Sequence, residues 1–205
     1  MIVVVGGHSR NIGKTSVVSG LIAALPEARW TAVKITQHGH GVCSIAGRPC
    51  ACVIECEDNF ALTEEIAPND SDSGRFLAAG AVHSYWLRTA MGQLHHGWPS
   101  LGRILDRSAN AMLESNSVLG LLRPDLYLVV LDFAVEDMKA SARRHLDRAD
   151  AYVIVNGRAA GPAWSRELSD KPRFPVAAPG FLTAELIGFV REALARPHLR
   201  SGAGG

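Results

Sequence analysis

The chain has 205 residues, 47% of them hydrophobic and 20% charged, with a formal net charge of +1. That composition suits one soluble globular domain with a sizeable core. It excludes both a basic surface built for nucleic acid and an acidic, self-solvating chain.

No apolar run approaches membrane-spanning length, and residue 1 leads into a strand with no charged leader or cleavage site. The expectation is a cytoplasmic protein whose four cysteines are reduced thiols or metal ligands. Four consecutive apolar residues, Ile2-Val3-Val4-Val5, predict a strand buried on both faces. A glycine-bearing loop follows, ending in Gly13-Lys14-Thr15. Apolar residues at 17, 18, 21, 22 and 25 then have helical spacing. Strand, loop and helix in that order distinguish a phosphate-binding loop from a chance Gly-Lys-Thr.

Each residue type has a chemical reason. Gly13 lets the backbone approach phosphate oxygens, and successive loop amides then point at them. The positive end of the helix faces the same anion. Lys14 is placed to neutralise the β- and γ-phosphates, and the Thr15 hydroxyl to ligate Mg²⁺. The pattern G-x-x-x-x-G-K-[ST] wants glycine at His8, whereas the glycine stands at Gly7, so the loop is one residue longer. The predicted nucleotide-binding set is Gly7, His8, Asn11, Ile12, Gly13, Lys14, Thr15 and Ser16, with His8 placed to touch phosphate or substrate.

The first helix should stop at Pro26, and residues 30–36 predict a second strand carrying Lys34. Residues 41–72 read as irregular. All four cysteines fall there, at Cys43, Cys50, Cys52 and Cys56, with His38 and His40 just upstream. Thiolates and imidazoles packed into one loop suit Zn²⁺ or an iron–sulfur cluster, with inert or redox-active thiols as the alternative. Further on, residues 73–81 predict a helix, 83–89 a strand, 100–107 a helix and 111–113 a strand ending at Glu114. Residues 126–131 predict an apolar strand, 135–148 a charged amphipathic helix and 151–155 a buried strand ending at Asn156. A short strand at 174–177 and a helix at 183–195 complete the chain. The reading is one domain over 1–196 with a cysteine-rich insertion at about 38–72, and a disordered tail over 197–205.

Alternating strands and helices argue for an α/β fold, a mostly parallel sheet with helices on both faces. Ligands then bind outside the carboxyl ends of the strands. Lys14, Lys34 and Glu114 become the catalytic candidates, Thr15 and Glu114 the Mg²⁺ ligands, and Asp132 a competing carboxylate. Asn156 is the candidate for contact with the base, although no Asn-Lys-x-Asp pattern follows it.

Four stretches resemble the molybdopterin-guanine dinucleotide biosynthesis protein B family of P-loop GTP-binding proteins. They are the loop from Gly7 to Ser16, the strand ending Lys34-Ile35-Thr36-Gln37-His38, the Asp72-Ser73-Gly74 segment running to Ala79-Gly80-Ala81, and Ala111-Met112-Leu113-Glu114. The longer loop is closer to dethiobiotin synthetase and the cobyrinate-type amide-forming enzymes, which use ATP. The resemblance implies a three-layer P-loop NTPase fold, Mg²⁺, and GTP or ATP. It also implies slow hydrolysis in molybdenum-cofactor or metallocentre maturation, with a client protein and a homodimer as partners. An ATP-dependent ligase or kinase, with Lys34 and the Ser115-Asn116 region binding the acceptor, is the second reading. A metal chaperone switched by nucleotide is the third.

Overall fold

The computed structural model describes residues 1–38, 60–157 and 161–196. The apolar strand at the start of the chain lies deep inside one sheet. β1 (Ile2–Gly7) pairs in parallel with β5 (Asn110–Glu114) on one side and β6 (Leu126–Asp132) on the other. Outward from β5 come β2 (Trp30–His38), β4 (His83–Ala90) and β3 (Phe60–Glu64). Beyond β6 lie β7 (Ala151–Val155) and β8 (Arg173–Val176). The eight strands run β3-β4-β2-β5-β1-β6-β7-β8, and only β3, at the edge, is antiparallel to its neighbour.

Side chains alternate across this sheet, so each face has its own core. Val3, Val5, Met112, Leu128, Val130 and Val153 face α1 (Lys14–Ala24), α2 (Asp72–Ala78) and α5 (Ala184–Ala195). Val4, Leu113, Tyr127, Val129 and Tyr152 face the opposite layer, led by α3 (Leu94–Arg107). Val3, Val4 and Val5 are completely buried, as a strand covered on both faces must be. The fold is therefore a three-layer α/β sandwich with a mostly parallel sheet. Among the described residues no helix is long and apolar enough to cross a membrane.

Three segments differ from expectation. The region from 41 to 72, read as irregular, contains β3, which adds an antiparallel edge by pairing Leu62 with Leu87 and Thr63 with Trp86. α3 starts at Leu94, ahead of the expected residue 100, and carries Pro99 inside. Proline at 99 forfeits a single backbone bond early in the helix, while Leu94, Gly97, Leu101 and Leu105 bury one continuous stripe. The amphipathic helix expected over 135–148 is reduced to α4 (Ala140–Arg143) and a 3-10 turn at Leu146–Arg148. Its first residues are drawn away by the phosphate loop: Lys139 N–H donates to the His8 carbonyl at 2.9 Å, and the Val135 carbonyl accepts from the His8 ring. The cysteines and His40 lie outside the described residues, as does the tail from 197.

Candidate nucleotide-binding site

The site stands at the carboxyl ends of β1, β2, β5, β6 and β7, where a parallel sheet opens to ligands. Gly13 caps α1 with φ +90, a left-handed conformation that glycine adopts without penalty. The Phe181 ring lies where a side chain at 13 would project, 2.7 Å from that Cβ position. Gly7 is required for a second reason. The Lys14 stem crosses it so closely that a Cβ there would stand 2.7 Å from Cδ. Lys14 Nζ then folds back and donates to the Ser9 carbonyl at 2.7 Å. Burial pulls the Lys14 ammonium below the ordinary lysine range; Glu114 opposes this and Lys34 adds to it.

Strand register brings the next two groups together. Lys34 on β2 and Glu114 on β5 are direct partners, both on the face that carries α1 and α2. Lys34 Nζ lies 2.6 Å from Glu114 Oε1 and 2.6 Å from Asp72 Oδ2. Thr15, in the first turn of α1, donates from Oγ1 to Glu114 Oε2 at 2.8 Å, with the Asp72 carboxylate close by as a competing acceptor. Glu114 is only 2% exposed, so this carboxylate is satisfied entirely by the Thr15 hydroxyl and the Lys34 ammonium. Burial disfavours the charged form of Lys34, but Glu114 and Asp72 outweigh it and raise its pKa. Burial likewise opposes ionised Asp72, and Lys34 and Thr15 overcome it and hold the carboxyl below the usual range.

The structure thus brings Lys14, Thr15, Lys34 and Glu114 to one place and adds Asp72, whose sequence context marks it only as part of a stretch of family resemblance. The usable signal was an aspartate opening a helix, where its carboxylate favours the positive helix end. Thr15, Asp72 and Glu114 form an all-oxygen donor set, the chemistry of a hard cation such as Mg²⁺. Among the described residues no cluster of three or more His, Cys, Asp or Glu exists. Such a cation therefore needs phosphate oxygens and water to complete its shell, which is the usual Mg²⁺ arrangement.

The remaining predicted residues are placed differently. Asn11 is exposed with φ +54 at the loop's tip, and Ile12 turns its side chain into the core, so the loop presents backbone there. Ser16 is half-buried on α1 and accepts from Arg75 at 3.5 Å. Asn156, with φ +51, donates to Asp132 Oδ1 at 3.0 Å and ties the ends of β7 and β6 together. His8 turns away from the anion side. The residue is fully buried, and its ring packs at a tilt of 41° with its centroid 4.7 Å from that of Trp164. It donates from Nε2 to the Val135 carbonyl at 3.3 Å and accepts at Nδ1 from Asp132 N–H at 3.4 Å. Asn116 clasps the Gly7 backbone from both sides, accepting from its N–H at 2.9 Å and donating to its carbonyl at 2.8 Å.

Comparison with protein-family models finds no match, and neither does comparison with curated proteins. Among solved structures the chain is similar to LpxK from Aquifex aeolicus in complex with ATP, at 17% identity and a TM-score of 0.45. That alignment covers 84% of this chain and 52% of LpxK, so the chain spans about half the length of that protein. It is also similar to HypB from Helicobacter pylori in complex with nickel, at 14% identity and a TM-score of 0.49, over 93% of this chain and 86% of HypB. The ATP and the nickel belong to those two proteins.

Proposed function

We propose that this chain binds a nucleoside triphosphate with Mg²⁺ and hydrolyses it slowly, serving molybdenum-cofactor or metallocentre maturation. The reading is carried by one observation: a buried carboxylate, Glu114, meets the Thr15 hydroxyl and the Lys34 ammonium beside a loop whose own lysine pairs with no carboxylate among the described residues. Loop amides and Lys14 take the β- and γ-phosphate oxygens. Thr15, Asp72 and Glu114 would hold Mg²⁺, which would supply charge neutralisation to the phosphates. Lys34, paired with Glu114 and Asp72, would assist the terminal phosphate from the same carboxylates. Water attacks the terminal phosphorus, the bond to the bridging oxygen breaks, and a nucleoside diphosphate, inorganic phosphate and a proton leave. Positioning and electrostatic stabilisation account for most of such catalysis.

The maturation role follows from the sequence resemblance together with the four cysteines, as do a client protein and a homodimer. The ligase or kinase reading loses one acceptor-binding candidate, because the Asn116 side chain is occupied by the Gly7 backbone.

Calorimetric titration of the full chain with GTP and with ATP, each with and without Mg²⁺, tests the proposal. Lys14→Ala should weaken triphosphate binding by about tenfold or more, the scale of a lost charge-assisted bond. Undiminished affinity in that variant would sink the reading. Competition between the two nucleotides decides the base.

A further inference from the structure

The site has a cation that its loop motif does not account for. Lys139 lies between β6 and α4, far from the phosphate loop in sequence, yet its backbone N–H donates to the His8 carbonyl at 2.9 Å. The whole approach to it is fastened to the same residue. His8 N–H donates to the Val130 carbonyl at 3.3 Å, the His8 ring accepts from Asp132 N–H, and the ring donates to the Val135 carbonyl. The segment from 130 to 139 is thus tied to this loop at four points, all on His8. The residue that stands in place of the motif's glycine is the fastening.

Charge tells what this segment is for. The half-buried Lys139 ammonium lies in the repulsive field of Lys14, Arg10 and Lys34, with Asp137 as partial compensation. Among the described residues no carboxylate pairs with it or with Lys14, since Glu114 and Asp72 are held by Lys34. Two partly desolvated ammonium groups brought near one loop without a carboxylate between them are costly. A fold that brings them together from separate elements builds a site for a multiply charged anion. Resting on the nucleotide reading above, we propose that Lys139 is a further phosphate-binding residue of this site, tethered to the loop by its backbone bond to the His8 carbonyl and serving the terminal phosphates. Burial, then the neighbouring cations, lower its pKa to about 8, as expected of a cation that waits for its anion.

The test compares the full-length protein with Lys139→Met, Lys139→Arg and Lys14→Ala. Each is titrated with the tri- and diphosphate forms of ATP and GTP in the presence of Mg²⁺, and each unliganded protein is melted. Lys139→Met should weaken triphosphate binding by about tenfold and diphosphate binding by less than about threefold, while Lys139→Arg stays within about threefold of wild type. The unliganded Lys139→Met protein should melt at or above the wild-type temperature, because repulsion has been removed. Wild-type triphosphate affinity in Lys139→Met, with Lys14→Ala impaired, overturns the Lys139 assignment and leaves the nucleotide reading standing. A lowered melting temperature with equal losses for both phosphate forms means Lys139 only supports the fold. If the wild-type protein binds neither triphosphate, both readings fall together.

Discussion

The His8 ring accepts a hydrogen bond at Nδ1 and donates one at Nε2, so the fold is built around the neutral imidazole. Burial lowers its pKa from the ordinary 6.5; the Val135 and Val130 carbonyls and the Asp132 carboxylate pull the other way without restoring it, and Lys14 adds to the lowering. The folded value therefore lies below the unfolded one. The resulting stability is fully present above pH 6.5 and is lost as pH falls through the folded value. The unliganded wild-type protein should lose denaturant resistance below that pH. His8→Phe keeps a ring on Trp164 but cannot titrate, so its slope in this window should be flatter. At neutral pH it should be less stable by about 1–3 kcal/mol, the scale of leaving buried backbone partners unpaired. Identical slopes for the two proteins would assign the acid sensitivity elsewhere.

α2 contributes Asp72 only because its amino terminus is anchored. Ser71 caps the helix by accepting from Gly74 N–H at 2.9 Å. Glu65 accepts from Ser73 Oγ at 2.5 Å, from Ser71 Oγ at 3.2 Å and from Asn69 at 2.8 Å. Ser84 of β4 fixes the same turn from beneath, donating to the Ser73 carbonyl at 2.7 Å. Glu65→Ala removes the hub of this cluster. Chemical denaturation should show a loss of about 1–2 kcal/mol, the usual worth of such caps and bonds. Titration should show Mg²⁺–triphosphate affinity falling by about threefold to tenfold as Asp72 loses its placement. A stability loss with unchanged affinity would mean that Lys34 alone positions Asp72.

Across the whole molecule, the site joins elements that sequence keeps apart. Thr15 and Glu114 are 99 residues apart, and Asp132 and His8 are 124 apart. A ligand that bridges α1, α2, β2, β5 and the loop after β6 stabilises the native state as a whole by mass action. At a hundred times its dissociation constant it should add about 2.7 kcal/mol. For a domain of this size that is a rise in melting temperature of roughly 5–10 °C. At the same concentration Lys14→Ala, its affinity lowered about tenfold, should gain only about 1.4 kcal/mol, roughly half the wild-type shift. Equal shifts in both proteins would show that the ligand binds outside the phosphate loop.

What the sequence settled unaided was local. Ile2-Val3-Val4-Val5 followed by Gly13-Lys14-Thr15 and a helical spacing named a buried strand, a loop and a helix, because those patterns are properties of neighbouring residues. Lys34 and Glu114 were legible as strand-end polar groups, for the same reason. Tertiary structure alone decided that they are register partners and that Asp72 closes the group. It also turned His8 inward, dissolved the start of the helix expected over 135–148, and brought Lys139 to the loop. Each of these rests on a hydrogen bond or charge pair between distant residues. Such partners leave no periodicity in the chain, so only the folded sheet reveals them.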